Sequence, residues 1–133
     1  APMLERETIR RGKKAYDIVK NMPFEEKDVN SLKGLPAMIM QNGLGQTIAY
    51  LAGKDPGKAQ MLCKALFDND DPNNALTQIV EMPPEEYLRK QEEAIDYAGW
   101  FKKYALAFKK AAPAAAAPEE ASEGGGDGET TAE

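Results

Sequence analysis

The chain has 133 residues, enough for one domain, and it contains no histidine and one cysteine, Cys63. Because histidine is the commonest general base and metal ligand, this composition disfavours an enzyme or a zinc protein, although catalysis by paired carboxylates stays open. The formal net charge of −5 arises at the C-terminal end, where residues 112–133 hold six of the 22 acids and no base. Residues 1–111 therefore carry 17 bases against 16 acids. A nucleic-acid partner is thus not excluded by the charge of the whole chain.

Cysteine usage and hydropathy predict a cytoplasmic protein with no cofactor and no membrane partner. A lone cysteine cannot form an internal disulfide, and the most apolar run, residues 35–51, is broken by polar side chains. A membrane span needs about 20 apolar residues in succession. Cys63 lies among apolar neighbours, which favours a small buried hydrophobe over a reactive thiol.

The first predicted helix runs from near Met3 to Asn21. Its buried stripe is predicted from residues that recur at spacings of three and four, namely Ile9, Gly12, Tyr16 and Val19. Basic residues occupy another face and recur on the last helix; this pattern suits a phosphate backbone or an ordinary solvated surface. The candidate nucleic-acid-facing residues are Arg6, Arg10, Lys13, Lys14, Lys20, Lys102, Lys103 and Lys109.

The central part of the chain predicts a short helix after Pro23 and then one long helix from Leu35 to near Gly53. Pro36 suits the first turn of the long helix, and Gly53 suits its C-cap. The apolar stripe of this helix is predicted to be Ala37, Met40, Leu44, Ile48 and Leu51. The candidates for close packing or a subunit interface are Asn42, Gly43, Gly45, Gln46 and Ala49.

The Gly43-Leu44-Gly45 run is interpreted as a close helix crossing and not as a phosphate loop. A phosphate loop follows a strand and ends near a lysine, whereas this run lies inside an amphipathic pattern and continues with Gln46 and Thr47.

Three further helices are predicted towards the C-terminus: Gly57 to Phe67, Pro72 to Glu81 with Asp71 as N-cap, and Pro83 to about Ala111. The core stripe of the last helix is predicted to be Leu88, Ile95, Ala98, Phe101, Ala105 and Phe108. Beside it lies a second stripe of Tyr97, Trp100, Tyr104 and Ala107, which is interpreted as further core, the alternative being a base-stacking platform.

The fold class predicted from these elements is all-α. Residues 1–112 should form a small helical bundle of about five helices, with no strand pattern and no internal repeat. Residues 113–133 are rich in alanine, proline, glycine and acids, and they offer no branched aliphatic or aromatic side chain to bury, so a disordered tail is predicted there.

Two segments resemble the small subunit of type III-B (Cmr-type) CRISPR effector complexes: LPAMIMQNGLGQTIAYLAGK, residues 35–54, and EYLRKQEEAIDYAGWFKKYALA, residues 86–107. The first helix, RRGKKAYDIV, is also similar. The resemblance implies a non-catalytic helical subunit, several copies of which stack along a filament of backbone subunits. It also implies that the copies help form the groove for the target RNA. The implied partners are the backbone and other subunits, further copies of this chain, CRISPR RNA and target RNA.

Two alternatives stay open from the residues alone. A free-standing helical nucleic-acid-binding module, such as a regulator, would bind duplex DNA through a recognition helix. A carboxylate enzyme could use Glu92 and Asp96, which are four residues apart, although ordinary ion pairing with Arg89 and Lys90 explains these acids equally well.

Overall fold

The computed structural model describes residues 2–109, and side chains from Arg6 onward. Over that range the chain forms seven helices and no strand, which confirms the all-α prediction with more helices than expected. The helices are α1 (Pro2–Val19), α2 (Glu26–Lys33), α3 (Leu35–Asn42), α4 (Leu44–Lys54), α5 (Pro56–Phe67), α6 (Pro72–Glu81) and α7 (Pro84–Phe108). The predicted tail, residues 113–133, and the domain boundary at residue 112 lie outside the described residues. Among the helices of this range, none has the length and apolar content of a membrane span.

The longest helix, α7, lies at the centre of the bundle and packs against α1, α2, α3 and α5. Its buried face consists of three alanines, Tyr97 and Phe101. Small side chains let neighbouring helices approach closely, and the aromatic rings fill the space that remains. The largest fully buried side chains around this face are Val19, Phe24, Leu32, Leu35, Ile39, Leu44, Ile48, Leu62 and Phe101.

The long helix predicted from Leu35 to Gly53 is wrong, because the chain breaks at Gly43. This residue has φ 88° and ψ 159°, a conformation available essentially to glycine. Its N–H donates to the Ile39 carbonyl at 2.8 Å and closes α3, while its carbonyl accepts from the Thr47 N–H at 3.1 Å and opens α4. The C-cap of α4 is Asp55 and not Gly53.

The break also explains why two of the five residues in the predicted stripe of this segment are wrong. Leu44, Ile48 and Leu51 are buried on α4, but Ala37 and Met40 are exposed on α3. A change of direction at Gly43 shifts the phase of the helical pattern, so one continuous 3.6-residue period cannot describe both helices. The buried face of α3 is instead marked by Leu35 and Ile39.

The predicted stripes of the two terminal helices are also wrong in part. On α1, Gly12 and Val19 are buried as expected, but Ile9 and Tyr16 are 66% and 43% exposed, and Ala15 is buried in their place. The Trp100 ring of α7 packs over Gly12 on this side of α1. On α7, Leu88 and Phe108 are 58% and 38% exposed.

The helix predictions from Gly57 onward are confirmed to within a few residues. Asp71 caps α6 as expected, because its side chain accepts a hydrogen bond from the Asn73 N–H at 3.0 Å. Cys63 is fully buried, as predicted, and burial raises the pKa of its thiol to about 11.

Candidate nucleic-acid interface

The N-terminus of α4 is capped by side chains from α7. The Leu44 N–H donates to the Gln91 side-chain oxygen at 3.0 Å, and the Gly45 N–H donates to the Tyr87 hydroxyl at 3.2 Å. The first turn of a helix leaves backbone N–H groups without partners, and these two contacts satisfy part of that need. Neither Tyr87 nor Gln91 was predicted from the sequence. No sequence signal indicated them, because one continuous helix was predicted through Gly43.

The five candidates for close packing divide into an internal and an external set. A β-carbon at Gly43 would lie 3.0 Å from the Tyr87 hydroxyl, and one at Gly45 would lie 3.5 Å from Ile79 Cγ2. The two glycines therefore pack against α6 and α7 of the same chain. The other three candidates have exposed side chains: Asn42, Gln46 and Ala49.

Helices α1 and α7 pack side by side and approach each other very closely at Gly12. The Tyr104 hydroxyl donates to the Gly12 carbonyl at 2.9 Å, and the Trp100 ring lies over the same residue. A β-carbon at Gly12 would lie 2.6 Å from the Trp100 ring, a distance that real contacts do not reach. Glycine is therefore required here for the close approach of the two helices.

An ion-pair network joins the same two helices beside this contact. Arg11 lies 3.1 Å from Asp96 and 3.3 Å from Glu7. Asp96, one of the two acids considered for carboxylate catalysis, therefore pairs with an arginine on α1 and not with the bases of its own helix. The other acid, Glu92, is exposed.

The structure separates the predicted basic residues into paired and unpaired groups. Seven of the eight are exposed and Lys14 is half-buried. Four make ion pairs, namely Lys14 with Asp68 at 2.8 Å, Lys109 with Glu26 at 2.9 Å, Lys20 with Asp17 at 3.6 Å and Arg10 with Glu7 at 3.8 Å. The hydrogen bond and charge of Lys14 lower the pKa of Asp68.

Lys13, Lys102 and Lys103 form no ion pair within residues 6–109, and neither does Arg6. Among the eight predicted residues, those without an ion pair in this range lie on α1 and α7. Lys14, by contrast, forms an ion pair with Asp68 within the fold.

Four aromatic rings form a connected surface beside the unpaired lysines, and we call them the aromatic strip: Tyr16, Trp100, Tyr104 and Phe108. Trp100 stacks on Tyr104 with centroids 5.5 Å apart, and Tyr104 stacks on Phe108 at 5.7 Å. Tyr16 meets Tyr104 and Phe108 edge-on at 5.9 and 5.8 Å. The ammonium group of Lys103 lies 5.8 Å from the centre of the Trp100 ring.

The second stripe of α7, predicted to be core, is therefore core only in part. Tyr97 is buried, and burial raises the pKa of its hydroxyl, with a further contribution from Glu93. Trp100 and Tyr104 are half-buried and pack against the core from outside, while Ala107 is exposed.

A buried ion pair that the sequence did not predict holds α2 against the start of α5. The Lys58 ammonium lies 2.6 Å from Asp28 and 3.5 Å from Asp55, and its side chain is 9% exposed. Burial raises the pKa of Asp28, but the hydrogen bond from Lys58, the Glu25 N–H and the lysine charge together lower it on balance.

The family described as CRISPR-associated protein (Cas_Cmr5) matches residues 8–108. The chain belongs to this family. A solved crystal structure of a CRISPR-associated Cmr5 family protein from Thermus thermophilus is 28% identical to the chain. Its TM-score is 0.63, over 75% of this chain and 94% of that one. The resemblance that the sequence predicted is thereby confirmed, and Cas_Cmr5 membership supports the assignment as a subunit of the Cmr complex.

The Cas_Cmr5 match runs from α1 to the end of α7 and so contains both features described above. The capped turn at Gly43 and the aromatic strip with its lysines lie inside residues 8–108. Over the part of the chain that the structure describes, His, Cys, Asp and Glu side chains form no group of three or more that could hold a metal ion.

Proposed function

We propose that this Cas_Cmr5 chain is a non-catalytic structural subunit of a type III-B CRISPR ribonucleoprotein in the cytoplasm. It packs along the backbone filament with copies of itself and helps form the groove for target RNA, next to the CRISPR RNA. The observation that carries the proposal is the family match, which extends over nearly the whole described bundle.

The chemistry of the chain supports a role without catalysis. It has no histidine, and its one thiol is buried with a pKa raised to about 11. Almost no thiolate would exist at neutral pH, and the thiolate is the nucleophilic form. Asp96 is engaged by Arg11 at 3.1 Å, so it is poorly suited to act as a general base.

Two surfaces support a role in assembly and RNA binding. Exposed Asn42, Gln46 and Ala49 surround the turn between α3 and α4 and can contact a neighbouring subunit, since the turn itself is held from inside. Unpaired Lys13 and Lys102 lie on the α1 and α7 side and suit an RNA backbone. A protein contact and an RNA contact can therefore use different helices of one small bundle.

Reconstitution of the complex with charge-reversed chains tests this function. Lys13→Glu and Lys102→Glu should weaken target-RNA binding and leave the number of copies per complex unchanged, because both lysines are exposed and form no ion pair with another residue of the described range. Lys33→Glu on α2, also exposed, is the matched control. Lys14 is left intact because a glutamate there would face Asp68 and perturb the fold.

Native mass spectrometry gives the copy number, and target-RNA titration at two salt concentrations gives affinity and its salt dependence. Unchanged affinity at normal copy number would remove these lysines from the RNA path. Failure of the wild-type chain to join the complex, combined with binding to duplex DNA on its own, would favour a free-standing regulator instead.

A further inference from the structure

We propose that the aromatic strip, together with Lys13 and Lys103, is a stacking surface for unpaired bases of single-stranded RNA. The inference rests on the proposed function and adds the chemical contact by which this subunit would hold RNA. It assigns a role to rings that the core only partly covers.

The strip presents aromatic surface in a regular row. Trp100, Tyr104 and Phe108 follow one another at every fourth residue of α7, so they extend over about 12 Å of helix. The planes of Tyr104 and Phe108 differ by only 5°, and those of Trp100 and Tyr104 by 24°. Such a row can receive a base at its open end or along its side, because every base has a π-face.

Packing among residues 6–109 leaves part of this surface open. Tyr16 and Phe108 remain 43% and 38% exposed, and Ile9, about two turns before Tyr16 on α1, is 66% exposed. Fully burying an aromatic side chain removes a large apolar area from water, so rings left open mark a surface suited to a partner.

The charges around the strip favour an anionic partner. Two carboxylates near the ends of the strip are paired with lysines: Asp17, which follows Tyr16, with Lys20, and Glu26 with Lys109, which follows Phe108. Lys103 lies over the Trp100 ring. Lys13 immediately follows Gly12, which Trp100 covers, and it precedes Tyr16 by one turn. Aromatic rings bordered by unpaired lysines match a ligand that alternates flat bases with phosphates.

The single tryptophan of the chain allows a direct test on the unaltered protein. The full chain is titrated at low salt with a uridine-rich single-stranded RNA and with an abasic ribose-phosphate oligomer of the same length. We expect the RNA to quench Trp100 fluorescence and the abasic oligomer to bind without quenching. Binding of the RNA with no change in fluorescence would overturn the proposal, as would equal quenching by both ligands.

Paired substitutions separate stacking from charge. Tyr16→Ala and Phe108→Ala should each weaken RNA binding by about fivefold to a hundredfold and leave abasic binding unchanged. Tyr50→Ala, on an α4 tyrosine that is 53% exposed, is the matched control and should bind as wild type. Phe108→Leu keeps an apolar side chain without a ring face, so it decides the question if an alanine variant loses helicity by circular dichroism.

Substitution of the lysines should affect both ligands. Lys13→Ala and Lys103→Ala should weaken RNA and abasic binding alike and lower the salt slope by about 0.7 each.

The outcome for the strip can be told apart from the outcome for the proposed function. If the chain joins the complex but Tyr16→Ala and Phe108→Ala bind RNA as wild type, only the stacking proposal is wrong. If these variants bind RNA normally but fail to assemble, the strip is a protein interface. If the wild-type chain binds RNA as expected but never joins the complex, the stacking surface stands and the proposed function is wrong.

Discussion

Gly12→Ala should destabilise the bundle, although alanine is the better helix former. The added β-carbon would lie 2.6 to 2.8 Å from three atoms of the Trp100 ring. That ring is rigid and stacked on Tyr104, whose hydroxyl also bonds the Gly12 carbonyl. The ring must move outward, or α1 and α7 must separate.

Two opposing effects set the size of the change. Overpacking a close contact costs about 1–3 kcal/mol, and replacing a mid-helix glycine by alanine gains about 1 kcal/mol. A net loss of about 1 kcal/mol is therefore expected, which lowers the melting temperature of a domain of this size by about 4–8 °C. Gly99→Ala is the matched control on α7, because a β-carbon added there would have no atom of another element within 4 Å. The free energy of unfolding of Gly99→Ala should be about 0.5–1 kcal/mol higher than that of the wild type.

Chemical denaturation followed by circular dichroism and by Trp100 fluorescence measures both variants. The free energies of unfolding of Gly12→Ala and Gly99→Ala should differ by about 2 kcal/mol. In a Trp100→Ala background, with stability measured relative to Trp100→Ala alone, Gly12→Ala should no longer be destabilising. A Gly12→Ala protein as stable as Gly99→Ala would refute the close-contact reasoning, since it would show that the ring moves aside without cost.

Further predictions concern the turn, the buried ion pair and the tail. Gly43→Ala should lower the stability measured in thermal melts by about 2 kcal/mol, because alanine is strained at φ 88°. Gly34→Ala should change stability little, since a β-carbon added there would have no atom of another element within 4 Å. Asp28→Asn should lower stability at pH 7 by about 1–3 kcal/mol by leaving Lys58 underpaired. Because the pKa of Asp28 is lowered in the fold, its contribution is present above about pH 4 and is lost as the pH falls through the folded value, so melting curves of variant and wild type should converge in acid. Deletion of residues 113–133 should leave the melting temperature nearly unchanged, and a fall of more than a few degrees would show that this segment packs on the bundle.

Sequence reasoning succeeded where the determinants of structure are local. The α6 start was predicted because Asp71 and Pro72 are adjacent and both act on the first turn. The helical class and the family followed from periodic apolar residues and from short signature runs. These features need no knowledge of which helices meet.

It failed where a distant residue decides the outcome. Ile9 and Tyr16 were expected to be buried because they are apolar and correctly spaced, but both are exposed, and Trp100 of α7 contacts α1 at Gly12 instead. The break at Gly43 was missed for a similar reason, since its stabilising contacts come from Tyr87 and Gln91. Counting hydrophobic spacings treats each helix alone and cannot show such contacts. The basic residues can be read from the sequence, but their ion pairs cannot, because the acids that bind Lys14 and Lys109 lie on distant parts of the chain.

The cap on α4 has a consequence for how the chain folds. The Leu44 and Gly45 amides depend on partners 47 and 42 residues further along, so the first turn of α4 cannot be complete until α7 has been synthesised and docked. The turn and α7 should therefore behave as one cooperative unit. In native-state hydrogen exchange, the Leu44 and Gly45 amides should open together with the centre of α7, and in Gln91→Ala the Leu44 amide should exchange faster while the middle of α4 stays protected.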